Sequence, residues 1–120
     1  MLKRTFFLLL LTVLVFSIGV NLAAQENKES QKKAIKLVEK AADDMKAKKF
    51  DKAAEKLAEA RELAPDYAPV YLQLSLLSQS NQNPDEALSH MEKAYELDPS
   101  SDAVVHHYAE LLLRAAKKRM

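Results

Sequence analysis

The sequence repeats itself at a fixed interval, and this period constrains the fold more than any other feature. Residues 50–66 read FDKAAEKLAEARELAPD, and residues 84–100 read PDEALSHMEKAYELDPS. The two segments align without a gap, and the numbers of paired residues differ by 34 throughout (85 − 51, for example). The shared residues are Asp51/Asp85, Ala53/Ala87, Ala60/Ala94, Glu62/Glu96, Leu63/Leu97 and Pro65/Pro99. A period of this length is typical of stacked repeats, whose units bury their apolar faces only against their neighbours. We therefore predict an array of short helical units.

Apolar residues three and four positions apart predict that each unit is a pair of amphipathic helices. The first helix follows a polar stretch, with Ser30 as its N-cap. The second begins near Asp51 and ends at Pro65, which has no N–H to donate and disfavours helix in the residue before it. Asp66 is expected to cap the third helix.

The third helix differs from the others because no charged residue occurs between Tyr67 and Asp85. A helix that is apolar around most of its circumference is buried on several sides. We predict that it lies between two neighbouring helices. Asn83-Pro84 opens a fourth helix, and Ser100 or Ser101 caps a fifth. One glycine, no cysteine and many Ala, Leu, Lys and Glu residues also favour an all-α fold.

Residues 1–24 have the pattern of a secretory signal peptide. Lys3 and Arg4 precede an apolar run over residues 6–20, and Ala23-Ala24 offers small residues for cleavage. The run is shorter than the roughly 20 residues of a spanning helix, so an uncleaved membrane anchor is the alternative. We predict export to the periplasm or beyond the cell. Residues 25–33 (QENKESQKK) are polar and are expected to form a tether.

The repeated residues resemble the tetratricopeptide repeat, a helix–turn–helix unit of about 34 residues. Proline follows the second helix of each unit, and alanine recurs where the family places small residues, at Ala53/Ala60 and Ala87/Ala94. Ala41, Ser75 and Ala109 occupy the family's glycine-or-alanine position, whereas Leu37, Tyr71 and Val105 replace its usual tryptophan. The resemblance implies a right-handed α-solenoid of antiparallel helix pairs over residues 34–118. Its units would be 34–67 and 68–101, followed by a capping helix over 102–118.

The residues that carry most enzymatic chemistry are sparse. Without cysteine there is no thiol nucleophile and no disulfide framework. His106 and His107 are adjacent, so they project about 100° apart on a helix and do not share a ligand-binding face, and His90 is remote in sequence. No glycine-rich phosphate loop is present. We predict no catalytic residues, metal or cofactor.

The charge balance gives no support to nucleic-acid binding. The net charge is +1, and loss of Lys3 and Arg4 with residues 1–24 would make it +1 − 2 = −1. The basic C-terminus is interpreted as a set of cations that interact favourably with the dipole of the last helix.

The resemblance also implies where a partner would bind, because the first helix of each tetratricopeptide unit lines a concave groove. The register assigns to this groove Val38, Ala42, Met45, Leu72, Leu76, Gln79, His106, Glu110 and Leu113. Members that clamp a terminal carboxylate have Lys and Asn where Val38 and Ala42 stand, so an apolar or helical segment is the expected ligand. The alternative is that these residues simply bury one another.

Two functions therefore remain open. The first is a non-catalytic adaptor that holds a segment of a partner protein in the groove. The second is a structural subunit of an envelope assembly, which self-associates or is tethered to the membrane by residues 1–24. Because two and a half units are near the lower limit for a self-sufficient array, a homodimer or a covering partner is a further hypothesis.

Overall fold

The computed structural model describes residues 25–120, and all regular secondary structure within that range is helical. The helices are α1 (residues 25–46), α2 (Phe50–Leu63), α3 (Ala68–Ser80), α4 (Pro84–Leu97) and α5 (Asp102–Arg119). The predicted all-α fold is confirmed for this part of the chain. The predicted signal segment lies outside the described residues. Residues 33–120 form one unit, and the contacts described below lie within it.

Residues 25–33 are helical, so the predicted start of the first helix at Ser30 is wrong. The physical reason is composition: Gln, Glu and Lys are good helix formers, and the segment contains neither glycine nor proline. Adding a residue to an existing helix is much easier than starting one. A polar stretch without an apolar stripe can therefore extend α1 toward the N-terminus.

The period of the sequence recurs in the backbone of the turns inside each helix pair. Lys48 and Gln82 both have a φ of 60°. The amide that follows each of them reaches back over five residues, from Lys49 to the carbonyl of Asp44 (2.8 Å) and from Asn83 to that of Ser78 (2.9 Å). This is the hydrogen bond of a Schellman helix end, which usually carries glycine at the left-handed position.

Replacing Lys48 with glycine is expected to raise the free energy of unfolding by about 0.5–1 kcal/mol, and Gln82→Gly should act likewise. The left-handed conformation costs a residue with a Cβ about 1–2 kcal/mol, and the greater freedom of glycine in the unfolded chain offsets part of the gain. Urea unfolding followed by circular dichroism measures the change. Lys46→Gly, near the end of α1, is the control and should destabilise the protein.

The turns that end α2 and α4 also share one geometry. Ala64 has φ −142° and ψ 75°, and Asp98 has φ −145° and ψ 81°. Each donates its N–H to the carbonyl four residues earlier, Ala60 or Ala94, at 2.9 Å. Proline follows in both cases, and it disfavours the helical conformation in the residue before it. The prediction that these prolines end the helices is confirmed.

Capping side chains determine where α4 and α5 begin. The Asn83 side chain accepts from the Glu86 amide at 3.4 Å and donates to the Glu86 carboxylate at 2.7 Å. Ser101 accepts from the Val104 amide at 3.4 Å, which decides between the two candidate serines. Asp66 does not cap α3, because the N-cap residue is Tyr67 and no side chain accepts a hydrogen bond there. Pro69 in the first turn of α3 lacks one of the amides that would need such a cap.

Small residues allow the helices to approach closely at the core. Ala53 and Ala60 in α2, and Ala87 and Ala94 in α4, are fully buried. Between members of each alanine pair lies a large residue that is also fully buried, Leu57 in α2 and Met91 in α4. These residues belong to one continuous buried cluster. The two repeats therefore build the core with the same arrangement of small and large side chains.

Helix α3 contacts both α2 and α4, as predicted for the uncharged central helix. Leu77 is buried, and Leu74 packs against the core. Ser75 is fully buried, and its hydroxyl donates to the carbonyl of Ala87 in α4 at 2.7 Å. Tyr71 donates its hydroxyl proton to the carbonyl of Pro65 at 2.7 Å. The hydroxyl groups of Ser75 and Tyr71 are thus paired, as burial requires.

Two ion pairs show that α1 and α2 run antiparallel. Lys33 near the start of the compact unit pairs with Glu59 late in α2 at 2.7 Å, and Asp44 near the end of α1 pairs with Lys56. The hydrogen bond from Lys56 holds the pKa of Asp44 below its ordinary value, against the smaller opposing effect of burial. The Lys33–Glu59 pair is largely exposed, and such pairs add little stability. The Lys33–Glu59 pair therefore contributes little to holding the two helices together.

Candidate partner-binding surface

The nine residues predicted to line a groove differ in exposure. Val38 is only 7% exposed and belongs to the core cluster, so its predicted place in an open groove does not fit the structure. Its side chain faces inward because the apolar face of α1 is covered within the bundle. Half-buried residues are Ala42, Met45, Leu72, Leu76 and Gln79, and exposed residues are His106, Glu110 and Leu113.

One side-chain contact links α3, which carries Leu72, Leu76 and Gln79, to α5, which carries His106, Glu110 and Leu113. Arg114 donates to the side-chain carbonyl of Gln79 at 3.4 Å, which joins the two helices. Leu72 packs against the core, whereas Leu76 lies outside the core cluster and Leu113 is 64% exposed. We call Leu72, Leu76 and Leu113, the leucines that the register assigns to the groove, the leucine row. These side chains are held by packed helices and keep apolar surface available for contact.

A cavity of about 480 Å³ is lined in part by Gln79, another member of the predicted groove, and by none of the leucine row. It is bordered by the end of α3, the start of α4 and the C-terminal half of α5. Its lining residues are Gln79, Gln82, Asn83, Pro84, Asp85, Leu88, Leu111, Arg114, Ala115, Lys118 and Arg119. This volume lies within the range of small-ligand sites and can accept one or two side chains of a bound segment.

The chemistry of the cavity is mixed. Leu88, Leu111 and Ala115 provide apolar walls, while Arg114, Lys118 and Arg119 outnumber the single carboxylate, that of Asp85. The side-chain nitrogen of Gln79 is buried without a hydrogen-bond partner. An unpaired buried donor is costly, and an acceptor group on a ligand would satisfy it. The cavity is therefore suited to an apolar group that carries an acidic or carbonyl oxygen.

The sequence interpretation missed this cavity because it assigned the basic C-terminus to the helix dipole alone. A usable signal was present. Leu111, Arg114, Ala115 and Lys118 lie three and four residues apart, which places cations and apolar residues on one face of α5. The spacing does not predict that α3 and α4 lie opposite that face of α5.

The histidines form local pairs with glutamates. His90 lies 3.5 Å from Glu86, and His106 and His107 each lie 3.7 Å from Glu110. Within residues 25–120, no group of three or more His, Cys, Asp or Glu side chains is placed to hold a metal ion. In the same range, no helix combines the length and the apolar character needed to cross a membrane.

Comparison of the sequence with protein-family models and with curated proteins finds no match. The interpretation of the surface therefore depends on the internal repeat, the cavity and the exposed apolar side chains.

Proposed function

We propose that the protein is a non-catalytic interaction module of the tetratricopeptide type that binds an apolar or helical segment of a partner protein. In this proposal the helix pairs stack as a right-handed α-solenoid, and the first helices of the units form the binding face. The recurrence of the same backbone turn at Lys48 and Gln82 supports the repeat architecture. No nucleic acid, metal or cofactor takes part.

The observations that support the proposal are the incompletely buried leucine row and the mixed cavity, whose lining includes Gln79 and Arg114. Apolar side chains on the same face of a helical segment would lie on Leu72, Leu76 and Leu113, as in helix-in-groove recognition. An acidic side chain or a terminal carboxylate of that segment would enter the cavity, near Arg114 and Lys118. The sequence disfavours carboxylate recognition at Val38 and Ala42. In this proposal the carboxylate is bound in the cavity instead, where Arg114 and Lys118 provide cations.

Selection from a displayed library of peptides about 16 residues long tests this function. We expect the enriched peptides to carry Leu, Ile or Phe three and four residues apart and at least one Asp or Glu. Leu72→Glu combined with Leu76→Glu should weaken binding of these peptides at least about tenfold, because charges would replace apolar contacts. Fluorescence anisotropy with labelled peptides measures the affinity.

Ala58→Glu combined with Ser89→Glu is the matched control, because it adds the same charge at positions of α2 and α4 that are not buried. This control should bind the peptides as the unmodified protein does. Arg114→Gln should weaken acidic peptides more than their amide counterparts. Equal binding by the leucine variant and the control, or no enrichment over the bare support, would contradict the proposal.

We further propose that the module acts in the periplasm or outside the cell, after export by residues 1–24. The alternative is a structural subunit of an envelope assembly that keeps this segment as a membrane tether. N-terminal sequencing of the protein from the cell envelope separates them: a start at Gln25 supports the free module, and a retained N-terminus supports the tether.

A further inference from the structure

Helix α5 exposes a face that its counterpart in the preceding repeat buries. In α3, Tyr71, Ser75 and Ser78 are all buried, and Ser75 bonds directly to α4. The residues of α5 one period later are Val105, Ala109 and Leu112. Val105 is 44% and Leu112 is 45% exposed, and Ala109 is exposed as well. Together with exposed Ala116, these residues form what we call the outer stripe of α5.

At the opposite end of the array, the corresponding face of α1 is charged. The positions in α1 that correspond to Val70, Leu74 and Leu77 of α3 hold Lys36, Lys40 and Asp43, and none of the three is buried. A charged face is poorly suited to cover an apolar stripe, because its charges would lose hydration. Head-to-tail stacking of one copy's α1 on another copy's α5 is thus disfavoured. A symmetric contact that uses the outer stripe twice avoids this cost.

We propose that the outer stripe of α5 binds the outer stripe of a second copy of this chain, with the two helices antiparallel. In this register Ala109 of one copy faces Leu112 of the other, and Val105 faces Ala116. Each small side chain meets a larger one, which lets the helices approach without leaving a gap. The contact is a two-fold symmetric homodimer, the commonest form of closed association.

The charges of α5 favour the antiparallel orientation. Asp102 lies in the first turn, and Lys117, Lys118 and Arg119 lie in the last. In the antiparallel register Asp102 of one copy comes opposite Arg119 of the other, twice in each dimer. A parallel pair would bring the two basic ends together and would place alanine on alanine at position 109. Repulsion between like charges and poorer packing both oppose that arrangement.

The expected dimer is reversible. Helix α5 has 18 residues and is about 27 Å long, so one helix pair covers less than the roughly 800 Å² per partner of a standard interface. Leu112 of the outer stripe also lies about 100° around the helix from Leu113. Leu113 nevertheless lies four residues after Ala109 and three before Ala116, so the dimer contact would come close to it. Leu72 and Leu76 lie on α3, outside the proposed contact, so either proposal can still fail without the other.

Disulfide trapping in the full chain tests the contact and its direction, because the native sequence has no cysteine. Ala109→Cys and Leu112→Cys are prepared as single variants with different tags, then oxidised separately and as a mixture. We expect the mixed dimer to form several-fold faster than either single-variant dimer. Glu110→Cys, the control on the other side of α5, should cross-link no faster than chance collision allows. Faster trapping of the single variants than of the mixture would mean a parallel pair and would overturn the proposal.

Sedimentation over a range of concentrations provides a second measurement in the same buffer or detergent. We expect the unmodified chain to change from monomer to dimer, and Leu112→Glu to shift the midpoint at least about tenfold upward. Ala103→Glu, which adds the same charge on the opposite side of α5, should leave the midpoint unchanged. Both sites are exposed, so both variants should keep the helical circular dichroism of the unmodified protein. A monomer at every concentration, or equal effects of the two variants, would overturn the proposal.

Discussion

Replacing Leu57 with alanine is expected to lower the free energy of unfolding by about 2–5 kcal/mol. Leu57 is fully buried in α2, between the fully buried Ala53 and Ala60. The alanines on either side are already small, so they cannot expand into the space that the leucine leaves. The loss comes from the apolar surface no longer buried and from the cavity itself. For a domain of this size it is a large part of the total stability.

Urea unfolding followed by far-ultraviolet circular dichroism measures this loss. Met91→Ala, the equivalent truncation in the next repeat, should cost a similar amount because Met91 is also fully buried. Leu113→Ala removes the same atoms as Leu57→Ala from a side chain that is 64% exposed, and it should change stability by no more than about 0.5 kcal/mol. Equal losses at Leu57 and Leu113 would show that the core is placed incorrectly.

Replacing Ala60 with leucine is expected to destabilise the protein by about 1–3 kcal/mol or more. Ala60 is fully buried where α2 meets its neighbours, and its carbonyl accepts the hydrogen bond that ends the helix at Ala64. Three additional carbons would push the helices apart or force side chains out of their preferred rotamers. Helix propensity does not explain such a loss, since leucine forms helices nearly as well as alanine.

Ala58→Leu is the control for this overpacking. Ala58 lies two residues away on the same helix but faces solvent, so the same substitution should change stability by about 0.5 kcal/mol or less. Ala94→Leu in α4 should repeat the effect of Ala60→Leu, because the two alanines are equivalent in the repeat. If Ala60→Leu were tolerated as well as Ala58→Leu, close helix approach at the small residues would be contradicted.

Sequence reasoning worked best where structure depends on neighbours along the chain. Proline at 65 and 99 disfavours helix in the residue before it, and Asn83 with Glu86 caps the next helix through contacts three residues apart. It failed at the start of the first helix, which was predicted at Ser30 because residues 25–33 lack an apolar stripe, whereas these residues are helical. A helix that has already formed extends through polar residues without such a stripe.

The candidate site was only partly predictable for a different reason. The spacing of Val38, Leu72 and His106 assigns them to corresponding positions of their helices. It does not predict how much of each helix face is covered by neighbouring helices. Val38 is consequently buried, while His106 is exposed. The cavity exists only because α5 lies against α3 and α4, which residue spacing does not reveal. The cations of α5 were therefore interpreted as partners of the helix dipole alone.

By itself, the sequence determined that the described chain is helical, that its units repeat with a fixed period and that the central helix is covered on two sides. These properties follow from periodicity and turn chemistry, which act over a few residues. Only the tertiary structure decided which apolar side chains remain exposed and where the cations of α5 meet Gln79. Burial and cavities depend on distances between helices that are remote in the chain, and residue spacing along one helix does not encode those distances.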